Sequence, residues 1–190
     1  MKTATESRRR AALVASTLQE VGEAGSLDVT VARIARRAGV SSALAHHYFG
    51  SKESLLCAAM RAVLVAFGAE ARAGLAAARD PEQRLAAILR ACLSPPNFAP
   101  ATASAWLNLY VLAQTSPEAR RLLAVYHRRL DSNLRHALRP VLGERAAPVA
   151  AEIGALIDGW WLRRALRREA GPGAEDALAA ARALVVARAG

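Results

Sequence analysis

Apolar residues recur along the chain at the spacing of an α-helix, and short polar, glycine- or proline-containing stretches separate them. Leu13, Thr17 and Val21 lie four residues apart, which predicts one buried face on a first helix. The pattern repeats to the end of the sequence and predicts nine helices. They are Glu6–Glu23, Val31–Arg37, a short helix from Ser41 to about Tyr48, Lys52–Arg79, Glu82–Leu93, Ala101–Gln114, Glu118–Leu138, Ala147–Arg168 and Ala174–Arg188.

The composition also favours an all-α protein. Of the 190 residues, 53% are hydrophobic, with alanine abundant, and only 5% are aromatic. Alanine is the strongest helix former, whereas the β-branched and aromatic residues that favour strands are scarce. The lengths of the helices predict a small N-terminal module, residues 1–50, followed by a larger helical body, residues 51–190.

The net charge of +10 favours a polyanionic partner, either nucleic acid or a membrane surface. No segment approaches the roughly 18 apolar residues of a membrane span, and no signal peptide is evident, so we expect a soluble, cytoplasmic protein without a membrane partner. The two cysteines, Cys57 and Cys92, lie in apolar runs, which predicts buried thiols and no disulfide framework.

Residues 30–52, TVARIARRAGVSSALAHHYFGSK, have the spacing of a helix-turn-helix, with two short helices joined at Gly39. The predicted inner face contains Ile34, Ala35, Ala38 and Val40, and it continues with Leu44 and could include Tyr48. The outward positions of the second helix are then Ser42, Ala43, Ala45 and His46, which could reach base edges in a major groove. Short helix pairs with a glycine turn also occur in proteins that do not bind DNA, so the surrounding residues decide the interpretation.

Those residues resemble the DNA-binding domain of the TetR family of bacterial repressors. The matching positions are Thr30, Ile34, Ala35, Ala38-Gly39-Val40-Ser41, Tyr48-Phe49 and Lys52. The resemblance implies a nine-helix TetR-like fold, with an N-terminal helix-turn-helix three-helix bundle and a larger domain for ligand binding and dimerisation. It implies phosphate contacts from Thr30, Tyr48 and Lys52 on a double-stranded operator. The full set of predicted DNA-binding residues is Thr30, Arg33, Ser41, Ser42, Ala43, Ala45, His46, His47, Tyr48 and Lys52.

The C-terminal half resembles the BetI-type branch of the same family, whose members control glycine-betaine synthesis and respond to choline. The resemblance rests on the segments AWLNLY, YHRRLDSNLRHALRPVL and ALIDGWWLRRAL. It implies a small-molecule effector, choline or another small cation, and aromatic faces with a carboxylate suit such a cation. The predicted effector residues are Trp106, Tyr110, Asn133, Asp158 and Trp161. Alternatively, the tryptophans fill the core or a dimer seam, and Asp158 pairs with Arg163 or caps a neighbouring element.

A homodimer is expected because helix-turn-helix proteins bind palindromes through two-fold symmetry. The last two predicted helices carry a wide apolar stripe, and two such helices from each subunit would form a four-helix bundle. The predicted interface residues are Ile153, Leu156, Ile157, Trp160 and Leu184.

An enzyme is not predicted, because the sequence lacks HExxH, GxSxG and a glycine-rich phosphate loop. His127 and Asp131 lie four residues apart, but two ligands do not make a metal site, so we predict neither a metal nor a cofactor. The sequence therefore predicts a transcriptional repressor that a small molecule releases from DNA. The alternative is an architectural DNA-binding protein that has a filled C-terminal core and no effector.

Overall fold

The computed structural model describes residues 2–167 and 173–189, and this part of the chain is helical, with no strand. It contains nine α-helices and two 3₁₀ turns, which confirms the all-α prediction. The α-helices are α1 (Lys2–Ala24), α2 (Val31–Arg37), α3 (Ser42–Phe49), α4 (Lys52–Ala77), α5 (Pro81–Cys92), α6 (Pro100–Leu112), α7 (Pro117–Leu142), α8 (Ala146–Arg167) and α9 (Ala174–Ala189). The 3₁₀ turns are Pro95–Phe98 and Gly143–Arg145. The predicted end of the eighth helix at Arg168 lies outside the described residues.

Side-chain caps fix where three of these helices begin. The Thr30 hydroxyl accepts a hydrogen bond from the Arg33 backbone N–H at 3.2 Å, and Ser41 does the same for Leu44 at 3.2 Å. The Asp80 carboxylate accepts from the Gln83 N–H at 2.7 Å. Each cap satisfies a backbone donor that the first helical turn leaves unpaired, so the predicted starts of α2, α3 and α5 hold within one residue.

The end of α7 differs from the prediction. The sequence predicts that this helix ends at Leu138, two residues before Pro140, but α7 continues through Pro140 to Leu142. A proline this close to a helix end removes only one late hydrogen bond, and Pro140 is exposed, so water can pair the freed carbonyl. The helix ends instead before Gly143, whose φ of +55° is accessible to glycine at little cost.

The chain forms two compact units that do not follow chain order. The first unit comprises Met1–Val65 and Ala99–Ala124, and the second comprises Ala66–Phe98 and Val125–Gly190. Within the first unit, α1 packs closely on α6, and a Cβ added at Gly22 would lie 2.5 Å from the Ala101 Cα. Within the second unit, α5 packs against α8 and α9. The functional boundary between residues 50 and 51 stays a prediction.

Helix α4 is more apolar than expected. An 18-residue window within Lys52–Ala77 has a mean hydropathy of 1.6, so α4 is long and apolar enough to cross a membrane by length and composition. This corrects the expectation that no segment approaches that composition. Alanine accounts for much of the hydropathy, and a core helix of a protein without membrane segments passes the same test.

Candidate functional site

The N-terminal helices α1, α2 and α3 pack around a small apolar core within the first unit. Its buried residues are Leu13, Val21, Val29, Ile34, Ala35, Ala45, Leu55 and Leu56. Gly39 adopts a φ of +68° between α2 and α3, and the Val40 N–H then bonds to the Ala35 carbonyl at 3.0 Å. The left-handed glycine reverses the chain after α2 and so sets the angle at which α3 leaves.

A buried carboxylate joins α2 to α1. Glu20 is 4% exposed, and its two oxygens pair with Arg37 Nε at 2.6 Å and with Arg33 Nη2 at 2.8 Å. Arg37 also pairs with Glu23. The hydrogen bond from Arg37, opposed by burial and reinforced by the charge of Arg33, holds the pKa of Glu20 below its ordinary value. Arg33, a predicted DNA-binding residue, therefore has a structural partner, although its side chain remains 45% exposed.

Arg10 links α1 to the C-terminal end of α3. Its Nη1 donates to the Tyr48 backbone oxygen at 2.9 Å, and its guanidinium carbon lies 4.9 Å from the Tyr48 ring centroid and 5.5 Å from that of Phe49. Glu6 holds the Nε at 3.0 Å. The Arg10 guanidinium thus satisfies a backbone carbonyl in the last turn of α3, and it lies at the C-terminal end of the helix, where the helix dipole places negative partial charge.

The structure places most of the predicted DNA-binding residues at the surface of this helix-turn-helix. Thr30, Arg33, Ser41, Ser42, Ala43, His46 and His47 are exposed, and Tyr48 and Lys52 are half-buried. Ala45 is 1% exposed and belongs to the core, so its assignment as a base-reading residue is wrong. Ala45, Tyr48 and Phe49 share one helix face by their three- and four-residue spacing, and this face packs inward.

The predicted effector residues are divided between the two units. Trp106 and Tyr110 lie in the first unit, where their ring centroids are 6.3 Å apart. Asn133, Asp158 and Trp161 lie in the second. The prediction that these five residues contact an effector stays a prediction.

In the second unit, aromatic and acidic side chains gather around Cys92. Its thiol is fully buried, and burial together with the negative charges of Asp158 and Glu70 raises its pKa to about 12. The Tyr126 side chain opposes this rise in the pKa of the thiol. Glu70 accepts a hydrogen bond from Ser94 Oγ at 3.1 Å. Two carboxylates and a tyrosine are therefore close enough to the thiol to change its pKa.

His127 and Phe98 complete this group, of which the sequence assigned only Asp158 and Trp161 to the effector. We call it the Cys92 cluster, and its members are Glu70, Cys92, Phe98, Tyr126, His127, Asp158 and Trp161. His127 Nε2 lies 3.9 Å from Asp158 Oδ2, and Phe98 stacks with Trp161 at a centroid distance of 6.3 Å. Burial raises the pKa of Asp158 above its ordinary value, and His127 opposes that shift. Phe98 lies in a 3₁₀ turn without helical periodicity, so no spacing signal pointed to it.

The cluster has the chemistry of a cation site. The ring of Phe98 already holds the Arg164 guanidinium at 4.0 Å, which is a cation–π contact. Trp161 and Tyr126 add two further aromatic side chains, and Asp158 and Glu70 add the negative charge.

Two of the predicted dimer-interface residues are wrong. Ile153 is 0% exposed and Ile157 is 1% exposed, so both are packed inside their own subunit. The most apolar stripe of α8 packs inward because α9 and α5 lie against it. Leu156, Trp160 and Leu184 are half-buried. The neighbouring stripe is exposed instead, with Leu162 at 42%, Leu166 at 63% and, on α9, Val186 at 73%.

Two family models match the chain. The model for bacterial regulatory proteins of the tetR family matches residues 13–59, and the model for the C-terminal domain of BetI-type transcriptional repressors matches residues 81–190. A relative named HTH-type transcriptional regulator BetI, from Brucella anthropi, is 46% identical over 179 residues, which cover 94% of this chain and 92% of the relative.

Solved structures share the fold. A transcriptional regulator from Pseudomonas aeruginosa PAO1 aligns with a TM-score of 0.85 and 24% identity, covering 96% of this chain and 91% of the other. A transcriptional regulator from Saccharomonospora viridis, solved in complex with choline, aligns with a TM-score of 0.78 and 23% identity, covering 96% of each chain. The relatives are transcriptional regulators and not enzymes, as the sequence predicts.

Proposed function

Because the chain belongs to the TetR family of transcriptional regulators and carries a BetI-type repressor C-terminal domain, we propose that a quaternary ammonium cation of the choline class controls its binding to operator DNA. The protein binds a palindromic operator as a homodimer in the cytoplasm, and the cation releases it. Binding of the cation favours a conformation with lower affinity for the operator.

The DNA-binding surface consists of the exposed residues of the helix-turn-helix. Ser42, Ala43, His46 and His47 on α3 face the bases, and none of them is the arginine or asparagine that makes bidentate base contacts. Sequence-dependent DNA shape therefore supplies part of the specificity. Thr30, Ser41, Tyr48, Lys52 and the exposed part of Arg33 approach the phosphates.

The Cys92 cluster is the observation that carries the effector proposal. Its two carboxylates, Asp158 and Glu70, neutralise a permanent cation that cannot donate a hydrogen bond. The rings of Trp161 and Tyr126 supply the aromatic faces that bind methylated ammonium groups. The choline complex of the Saccharomonospora viridis regulator supports this ligand class.

Helix α4 provides a route from the effector to the DNA-binding surface. Glu70 lies on this helix, and Lys52 begins it. A cation drawn toward Glu70 shifts α4 along its length, and the shift moves the first turn that presents Lys52. The spacing of the two recognition helices in the dimer then no longer matches the operator.

The homodimer forms through the exposed apolar face of α8 and α9. Leu162, Leu166 and Val186 are large apolar residues exposed on these two helices. Leu156, Trp160 and Leu184 border this face and are half-buried within one subunit. Two copies of the face form a four-helix bundle, which buries the exposed side chains.

Calorimetric titration with choline tests the effector proposal. We expect saturable binding to the native protein and at least about tenfold weaker binding to Asp158→Asn, a loss of about 1.4 kcal/mol. Asp131→Asn is the matched control, because Asp131 is an acid on α7 that pairs with Arg135. A protein that binds its upstream DNA but shows no heat with choline would favour the architectural alternative.

A further inference from the structure

A pocket of about 360 Å³ opens at the surface of the second unit, and neither site described above uses it. Arg79 and Asp80 precede α5, Arg84 lies in its first turns, and His136 and Arg139 come from the last turns of α7. His136 and Arg139 are three residues apart and so share one face of α7. Three arginines and one histidine therefore converge on one cavity.

The charge of this pocket is unbalanced. Asp80 is its one carboxylate, and Asp80 Oδ1 already accepts the Gln83 N–H at 2.7 Å as the cap of α5. The three guanidinium groups carry three positive charges at any physiological pH. An anion with two negative charges would balance the pocket, whereas a single carboxylate would not.

Arg84 supplies the second observation. Its Nε is buried and has no hydrogen-bond partner among the described residues. A buried donor without an acceptor is costly, so such groups in folded proteins usually have a ligand, an ion or water. Arg84 also lines the pocket, so an oxyanion bound there lies beside the side chain that carries this unpaired donor.

We propose that this pocket binds a small phosphorylated metabolite through Arg84, Arg139 and Arg79. The planar fork of arginine matches the oxygens of a phosphate, and each pairing is a charge-assisted hydrogen bond. The remaining wall is formed by Ala78, Pro81 and Pro140, which suit a short organic group. The volume lies at the lower end of the range for small-molecule sites.

Titration with inorganic phosphate at constant ionic strength, balanced with chloride, tests the proposal on the full-length protein. We expect the Kd for phosphate to rise at least about tenfold in Arg84→Gln and in Arg139→Gln. Arg90→Gln is the control and should leave the Kd unchanged, because Arg90 is exposed on α5 and pairs with Glu175. Arg139 is exposed, so Arg139→Gln gives a result even if Arg84→Gln fails to fold.

Three outcomes would overturn the proposal. The first is phosphate binding no stronger than chloride binding, and the second is equal phosphate binding by the native protein and Arg139→Gln. The third concerns DNA, whose backbone offers the same chemistry. The slope of the logarithm of the operator-binding constant against the logarithm of salt concentration measures phosphate contacts. If Arg84→Gln and Arg139→Gln each reduce the size of this slope by about 0.9, the pocket binds DNA phosphates and not a metabolite. We expect both variants to keep the native salt dependence.

Discussion

Arg10 and Tyr48 are joined twice, by a hydrogen bond of 2.9 Å from the guanidinium to the Tyr48 carbonyl and by the position of the guanidinium 4.9 Å from the Tyr48 ring. The first residue lies on α1 and the second at the end of α3, so this pair fixes the recognition helix against the rest of the bundle. Arg10 is therefore a positioning residue for the proposed phosphate contact of Tyr48.

Replacing Arg10 should weaken DNA binding without removing a phosphate contact. We expect Arg10→Ala to lower operator affinity about tenfold, because a hydrogen bond to a charged donor and a cation–π contact are both lost. Arg10→Lys should recover part of the affinity. Fluorescence anisotropy on a DNA fragment from upstream of the gene measures the affinity. Repeating it at several salt concentrations gives the salt slope, which is the change in the logarithm of the binding constant with the logarithm of salt concentration. A salt slope reduced by about 0.9 would show that Arg10 itself contacts a phosphate.

Replacing Lys52, unlike replacing Arg10, should remove a phosphate contact and so reduce the salt dependence of DNA binding. A cation in the first turn of α4 gains nothing from the helix dipole, so we expect Lys52 to contact a phosphate of the DNA instead. We expect Lys52→Gln to weaken binding to all sequences similarly and to reduce the salt slope by about 0.9. Arg61→Gln removes the same charge from an exposed position on the same helix and should leave the slope unchanged. Equal slopes for native protein and Lys52→Gln would contradict the assignment.

Glu20 should make the stability of the DNA-binding unit depend on pH. Its lowered pKa means that the ionised carboxylate stabilises the folded state at pH values above the ordinary carboxyl pKa, and that this contribution is lost as the pH falls through the lowered pKa. Glu20→Gln should melt several degrees below the native protein at neutral pH, and the difference should shrink in acid. Glu23→Gln removes a more exposed partner of Arg37 and should cost less. If the difference in melting temperature between the native protein and Glu20→Gln stays constant down to strongly acidic pH, packing and not charge is the source of the stabilisation by Glu20.

Acid should weaken the binding of the proposed cation. Burial raises the pKa of Asp158, so this carboxylate is protonated at a higher pH than an ordinary aspartate, and only its ionised form attracts a cation. The Cys92 thiol stays neutral in acid and at neutral pH, because burial raises its pKa to about 12. Choline affinity measured by calorimetry should therefore fall as the pH is lowered through the raised pKa of Asp158. Affinity that is flat or rises in acid would remove Asp158 from the site, whereas Asp158→Asn should flatten the profile.

A charge on the exposed face of α8 and α9 should separate the subunits. We expect Leu166→Glu and Val186→Glu to weaken dimerisation at least about tenfold, because two buried carboxylates would face each other across the symmetric interface. Val141→Glu places the same charge at a similarly exposed valine on α7 and should remain dimeric. Light scattering coupled to gel filtration measures the mass. A dimeric Leu166→Glu together with a monomeric Val141→Glu would move the interface to α7.

The sequence predicted the helices well, because caps such as Thr30, Ser41 and Asp80 act locally and need no tertiary information. The sequence predicted less well which residues of a helix are buried and which are exposed. Ala45 was placed outward and Ile153 and Ile157 were placed in an interface, and all three are buried. A helical stripe shows which residues share a face, but it does not show whether that face packs against the same chain or a partner.

The Cys92 cluster shows a second limit. Asp158 and Trp161 were identifiable because an acid and paired tryptophans stand out in an apolar helix. Phe98, His127 and Glu70 were not, since they come from other elements and have no common spacing. The same holds for the basic pocket, where Arg84 on α5 and Arg139 on α7 are 55 positions apart in the sequence and converge only after folding.

Anisotropy of a labelled duplex from upstream of the gene, measured with the native protein at moderate salt and then during addition of choline, tests the proposed regulation most directly. We expect saturable binding of the native protein with two subunits per palindrome. The anisotropy should then fall as choline saturates the protein. Asp158→Asn should remain bound to the duplex at the same choline concentration. Failure of the native protein to bind the duplex, or a complex that choline leaves intact, would contradict a cation-released repressor.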